Sequence, residues 1–214
     1  MPTVETPVDA LLLIDSLGSQ CAEMLESVVA LVSNGRIGKL EIINVKQRPE
    51  WREQLAVRQV PWLSLGAFEL HGVISRPQLE EWINHVAQGS GWTEYLLHLM
   101  HSQRLDAAVA LVRDQPSVLV GVLEHLAETT PDSGINIHAL LEELADSATL
   151  RAMLPQLERL ASHPAAAIRA DAAHFLGLTG DHRAWAPLRT LTQDPAPAVR
   201  HRAHQALSML DPHD

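Results

Sequence analysis

The chain has 214 residues, enough for two modest domains that each bury their own core. Its formal net charge is −10 and it has only two lysines, Lys39 and Lys46. This charge argues against nucleic-acid binding and against a polybasic membrane patch, so we expect neither partner.

A single cysteine, Cys21, rules out an internal disulfide bond and suits a reducing compartment. The opening segment, MPTVETPVDA, has neither the basic stretch nor the apolar stretch of a secretory signal. The apolar runs of the chain are too short to span a bilayer. These features predict a cytoplasmic protein.

The first part of the chain alternates strand and helix patterns. Residues 10–14 are fully apolar, as in a strand that is covered on both faces. Ser19 is a good N-cap for the helix that follows, and Asn34-Gly35 is a typical helix end. A second strand is predicted over residues 40–45 and a short helix over residues 50–56.

A hairpin and a helix complete this pattern. Two strands, residues 62–65 and 69–73, pair around Gly66-Ala67. Pro77 then opens a helix, and a glycine-rich linker occupies residues 89–92. The predicted order over residues 1–88 is therefore βαβαββα, an α/β domain.

Every segment from Trp92 onward has helical periodicity, which predicts an all-helical domain over residues 93–214. An internal repeat appears when residues 154–180 are superimposed on the residues that follow them. One constant offset aligns Leu157 with Leu188, Leu160 with Leu191, Pro164 with Pro195, Arg169 with Arg200, Ala172 with Ala203 and Leu176 with Leu207. We predict helical-hairpin repeats, clearest at residues 153–181 and 182–211, with degenerate helix pairs between residues 93 and 150.

The segments GDHRAWAPL (180–188) and DPAPAVRHRAHQAL (194–207) resemble the short HEAT-type repeat related to phycocyanobilin lyases. The resemblance implies a solenoid that binds a protein partner. His163 stands where this repeat family tends to have the aspartate found at Asp194, so we expect the buried contact to Arg169 to be altered. A lyase or cofactor chaperone is a weaker option, because no residues for that chemistry are evident.

The segment VRQVPWL (57–63) places a proline at the entrance of a strand, where it cannot donate to the sheet ladder. In this order of elements it resembles the cis-proline loop of thioredoxin-fold proteins, over about residues 8–88. The resemblance implies a Cys-x-x-Cys motif at the start of the first helix. This chain reads Gly18-Ser19-Gln20-Cys21 there, and the other register pairs Cys21 with Met24. Ordinary dithiol oxidoreductase activity is therefore not expected.

Three interpretations of Cys21 remain open. It is a small buried residue of the first helical turn, a redox thiol that forms mixed disulfides, or an exposed thiol without a role. The resemblance also implies a binding groove formed by Gly18, Ser19, Gln20, Cys21, Val60, Pro61 and Trp62. The backbone beside a cis-proline offers an edge to an extended peptide, and Trp62 covers that groove or extends it as an aromatic contact. Alternatively, the Val60-Pro61 bond only shapes the turn.

Glu94, His98 and His101 share one helical stripe, a spacing that suits a metal site. With 12 histidines in the chain such coincidences are expected, and we favour a solvated helix face. No metal and no cofactor are predicted. The preferred function is a non-catalytic interaction or adaptor protein. The alternative is a monothiol redox protein or sensor that acts through Cys21.

Overall fold

The computed structural model describes residues 8–15, 18–128 and 137–210, and the chain divides into two compact units, residues 1–91 and 92–214. We call them the N-terminal unit and the helical unit. Parts of the predicted domains, residues 1–7, 16–17, 129–136 and 211–214, lie outside the described residues. Residues 1–7 include most of the opening segment in which no secretory signal is predicted.

The N-terminal unit has the predicted order of elements. They are β1 (Val8–Ile14), α1 (Ser19–Ser33), β2 (Ile37–Asn44), α2 (Glu50–Gln54), β3 (Trp62–Leu65), β4 (Phe68–His71) and α3 (Arg76–Gln88). Several boundaries differ from the predicted ones, as at the start of β1, the end of α2 and both ends of β4. β2 begins at Ile37, because its ladder with β1 extends back to the pair Val8–Ile37. The prediction that Ser19 caps α1 is wrong, since Ser19 is the first helical residue and Gly18 holds the cap position.

The strands form one mixed sheet in the order β2-β1-β3-β4. β1 is parallel to β2 and antiparallel to β3, and β3 is antiparallel to β4. Helices α1 and α3 pack against this sheet and against each other, and they bury apolar residues such as Met24, Val28 and Leu79. On β1, Leu13 belongs to a smaller apolar cluster with Val45, Val57 and Trp62. Successive strand residues face opposite sides, so the sheet has apolar contacts on both faces.

The described residues of the helical unit contain helices and turns but no strand, as predicted. The helices are α4 (Trp92–His101), α5 (Leu105–Asp114), α6 (Ser117–Glu128), α7 (Ile137–Glu143), α8 (Ala148–Ala152), α9 (Leu154–Leu160), α10 (Ala166–Leu178), α11 (Trp185–Leu191) and α12 (Pro197–Leu210). A short 3-10 helix, His182–Ala184, precedes α11. No described helix in either unit is long and apolar enough to cross a membrane.

The internal repeat has a direct structural counterpart. The starts of α9 and α11 are separated by the same offset as the starts of α10 and α12, and this is the offset of the sequence repeat. Four pairs of matched apolar residues are buried in both copies: Leu157, Leu160, Ile168 and Ala172 in the first, and Leu188, Leu191, Val199 and Ala203 in the second. The two copies therefore repeat in packing as well as in sequence.

Gly177 is a point of very close approach between α10 and α12. A Cβ atom on this residue would lie 2.8 Å from the Cβ of Ala206 and 3.0 Å from its Cα. Real Cβ atoms do not approach other atoms this closely, and neither obstacle can rotate away. The contact between these two helices thus depends on the absence of a side chain at residue 177.

Candidate functional site

Several of the predicted binding residues lie at one edge of the sheet in the N-terminal unit. Trp62 pairs with Leu13 near the carboxyl end of β1, so the preceding Pro61 lies beside Ile14. The chain leaves β1 at this end and enters α1 at Gly18. The Val60-Pro61 peptide bond is cis. The pairing of β1 with β3 thus places the start of α1 and the proline turn at the same end of these strands.

Cys21 lies in the first turn of α1 and is only 4% exposed. Its Sγ lies 3.9 Å from Oδ1 of Asp15, to which it donates a weak hydrogen bond. Reactive thiols are found in electropositive, partly exposed surroundings, whereas this one is enclosed and faces a carboxylate. The interpretation as an exposed thiol without a role is therefore wrong.

Trp62 is only 2% exposed, which leaves no aromatic surface for a ligand. The register of β3 directs its ring toward Leu13, and Val45 and Val57 enclose it in the smaller apolar cluster. The expectation that its ring covers or extends a groove is wrong for this reason. Its indole Nε1 has no hydrogen-bond partner among the described residues.

The two residues of the cis bond differ in their backbone hydrogen bonds. The carbonyl of Pro61 accepts a hydrogen bond from the amide of Gly72 at 2.9 Å, which closes the end of the β3–β4 hairpin. Val60, in contrast, makes no backbone hydrogen bond with any described residue. Gly18, Ser19 and Gln20 at the start of α1 are exposed. The accessible part of this edge is therefore backbone and short polar side chains.

A second surface lies in the helical unit, where α10 packs against both α7 and α12. Two crossed pairs join α7 and α10. Nε2 of His138 on α7 lies 3.0 Å from Oδ1 of Asp171 on α10. Nε2 of His174 on α10 lies 3.4 Å from Oε1 of Glu142 on α7. We call His138, Glu142, Asp171, His174 and the exposed Arg202 on α12 the histidine face.

The two imidazole rings of the histidine face are stacked, with centroids 5.9 Å apart and an interplanar angle of 26°. The hydrogen bond that Nε2 of His138 donates to the carboxylate of Asp171 raises the pKa of His138 above its usual value. Partial burial and the positive charge of Arg202 oppose that rise, while Glu142 supports it. The face thus combines a titratable histidine, two carboxylates and an exposed cationic side chain. Sequence reasoning missed it, although His138 precedes Arg169 by the offset of the repeat.

The link between the two clear repeats is an ion pair. Arg169 on α10 donates from Nε and Nη2 to the carboxylate of Asp194, at 2.7 and 2.9 Å. Asp194 is only 8% exposed, and this bidentate pairing lowers its pKa. The expected alteration of the contact between His163 and Arg169 is not seen, because Arg169 donates to the His163 backbone carbonyl at 2.8 Å just as Arg200 donates to that of Asp194. The arginine therefore uses a carboxylate from the following repeat.

The stripe of Glu94, His98 and His101 does not assemble a metal site, since the described residues contain no group of three metal-ligating side chains in suitable positions. His101 Nδ1 lies 2.8 Å from the carbonyl of Leu97. The His98 ring stacks on Tyr95, and burial lowers the pKa of His98. Glu94 and His101 are exposed, as expected for a solvated helix face, whereas His98 is half-buried.

A family model of HEAT repeats matches residues 119–208, from α6 to α12. These residues form HEAT-like repeats, and such repeats generally serve as protein-interaction elements. The histidine face and the ion pair between Arg169 and Asp194 both lie inside the matched region. No curated protein sequence matches the chain.

Proposed function

We propose that this chain is a non-catalytic interaction protein that holds a protein partner against its HEAT-like repeats. The observation that carries the proposal is the match of residues 119–208 to HEAT repeats. In this proposal the partner contacts the histidine face through polar and charged groups. The face offers hydrogen-bond donors and acceptors on α7 and α10, and an exposed guanidinium on α12.

The N-terminal unit, in this proposal, is a thioredoxin-like domain without its dithiol chemistry. The sheet order β2-β1-β3-β4, the parallel β1–β2 pair and the cis bond before β3 support this interpretation. The edge at Val60 and Gly18 then serves as a second contact for an extended segment of the partner. The lone cysteine suits a reducing compartment, which supports a place in the cytoplasm.

The burial of Cys21 and its carboxylate neighbour count against the alternative of a monothiol redox protein. We expect iodoacetamide to alkylate Cys21 much more slowly in the native chain than in urea. We also expect the purified chain to reduce insulin no faster than dithiothreitol alone does. Rapid native alkylation, together with loss of biological activity in Cys21→Ser, would favour the redox alternative instead.

Partner binding is tested with charge reversals on two exposed arginines of the same repeat. Arg202→Glu changes the histidine face, and the matched control Arg189→Glu changes α11, where the guanidinium lies over the Trp185 ring at 4.9 Å. We expect crosslinking to recover the same protein partner with the wild type and with Arg189→Glu, and to lose it with Arg202→Glu. The proposal fails if the wild type recovers no reproducible partner, or if Arg202→Glu binds it unchanged.

A further inference from the structure

The sheet of the N-terminal unit has one long edge that no described strand covers. Its order leaves β2 and β4 outermost, and β4 has only four residues. β2 is twice as long and contains no proline. An edge strand of this kind presents a row of backbone groups that another strand can pair with. The free edge of β2 is therefore a potential binding element.

Apolar side chains surround this edge on the helix-covered side of the sheet. Leu40 and Ile42 pair with Ala10 and Leu12, and Ile42 is 42% exposed. Crossovers between parallel strands are right-handed, so α1 presents the residues next to its buried stripe to β2. These residues are Leu25, Val29 and Val32, and Val29 is 44% exposed. We call Leu25, Val29, Val32, Leu40 and Ile42 the edge patch.

The edge patch holds half of the large apolar side chains that are exposed in the described part of the chain. Among the described residues only four large apolar side chains are exposed, and two of them, Val29 and Ile42, belong to this patch. Single exposed apolar residues are common on protein surfaces, but a cluster beside an open sheet edge marks an interaction site. The patch residues belong to β2 itself and to α1, the helix that packs against it.

The charges of β2 match those of a second copy of the same strand. Lys39 and Glu41 point to the sheet face opposite Leu40, and both side chains are well exposed. In an antiparallel pair centred on Leu40, each Lys39 lies directly opposite Glu41 of the second copy. Gly38 then faces Ile42 of the second copy and leaves room for its side chain. A parallel pair in register would instead bring like charges together, which is unfavourable.

We propose that two copies of this chain associate through β2, antiparallel and centred on Leu40, to form one continuous sheet from their two four-stranded sheets. The charge match makes the edge selective, because Lys39 and Glu41 repel a partner strand that places a like charge at either facing position. The edge patches of the two copies lie on the same sheet face and contact each other across the centre. The pairing is independent of the proposed partner binding, and it gives the assembly two sets of repeats and hence avidity.

Four charge variants test this register by sedimentation analysis over a range of concentrations. Lys39→Glu and Glu41→Lys each place like charges opposite each other at two positions, and we expect each to weaken association of the two copies about tenfold. An equimolar mixture of these two variants forms a heterodimer, because every facing pair is then complementary. The double variant with both changes also recovers association. Lys46→Glu, outside the strand, is the matched control and associates like the wild type.

The edge patch is tested separately with Ile42→Lys, for which Met209→Lys in the helical unit is the matched control, since Met209 is 47% exposed. We expect Ile42→Lys to be monomeric and Met209→Lys to associate like the wild type, while both keep the wild-type circular dichroism spectrum. A wild-type chain that stays monomeric at all concentrations overturns the proposal. A mixture of Lys39→Glu and Glu41→Lys that associates no better than its components overturns the antiparallel register.

Discussion

The two clear repeats of the helical unit use different residues for one structural task. In the first repeat, Nδ1 of His163 accepts a hydrogen bond from the amide of Ala165 at 3.1 Å. In the second, Oδ1 of Asp194 accepts one from the amide of Ala196 at 2.8 Å. Either side chain satisfies an amide just before the following helix, which would otherwise lack a partner. The repeat therefore keeps the hydrogen bond while it changes the residue.

The arginines of the two repeats make the same contacts within their own repeat and differ in their contact to a neighbouring repeat. Nη1 of Arg169 donates to the carbonyls of His163 and Pro164, and Nη1 of Arg200 donates to those of Asp194 and Pro195, all at 2.8–3.0 Å. Backbone carbonyls accept these bonds, so the arginine makes the same contacts whether histidine or aspartate precedes the proline. Only Arg169 adds a carboxylate, Asp194, in a neighbouring repeat. Contacts within a repeat are thus common to both copies, whereas the contact between repeats is not.

The largest expected difference between the repeats concerns matched leucines. Leu176 is completely buried between α10 and its neighbours, while Leu207, its counterpart in the second repeat, is half-buried. We expect Leu176→Ala to lower the free energy of unfolding of the helical unit by about 2–5 kcal/mol, because it leaves a cavity. Leu207→Ala should cost about 1 kcal/mol, since less surface is lost. Amide hydrogen exchange in α10 and α12 measures both, and equal costs would contradict the difference in packing.

The second difference is the ion pair between the repeats. We expect Asp194→Ala to cost about 2–3 kcal/mol, because a largely buried guanidinium loses its carboxylate but keeps two carbonyl acceptors. His163→Ala at the matched position removes only the hydrogen bond before the helix, at a cost of about 1 kcal/mol. The free energy of unfolding of each variant, from urea titration followed by circular dichroism, gives the comparison. A cost for His163→Ala as large as that for Asp194→Ala would show that the carboxylate pair adds nothing.

The smallest expected effect depends on pH. Position 169 is a permanent cation, whereas position 138, one repeat earlier, is a histidine whose pKa the Asp171 hydrogen bond raises above 6.5. A raised pKa in the folded state means that the contribution of His138 to stability is complete below pH 6.5. It is lost as the pH rises through the folded-state value.

The thermal midpoint of the helical unit should therefore fall slightly between pH 6 and pH 8. The same scan on His138→Gln, which cannot gain a proton, should be flatter over that range. If the wild type and His138→Gln lose stability in parallel, the hydrogen bond between His138 and Asp171 is not the cause.

Local patterns in the sequence predicted most of the fold, because they depend on neighbours along the chain. Strand and helix order, the end of α1 at Asn34-Gly35 and the constant offset of the repeat all follow from apolar periodicity and glycine positions. The local patterns did not predict the exact strand bounds or the burial of Trp62, because both depend on how the strands pair. The pairing of β2 with β1 begins at Ile37, and the pairing of β3 with β1 places Trp62 beside Leu13. The crossed pairs of the histidine face join residues 32 or 33 positions apart, so no local pattern announces them.

The absent side chain at Gly177 has a consequence for anyone who lengthens the array by duplication. The second repeat has Ser208 where the first has Gly177, and Ala206 stands where the first has Phe175. A verbatim copy of the second repeat, placed after it, would bring a serine side chain against a helix that packs on bare backbone in the native pair. A lengthened array therefore needs Ser208→Gly at every internal junction, together with alanine at the position that faces it.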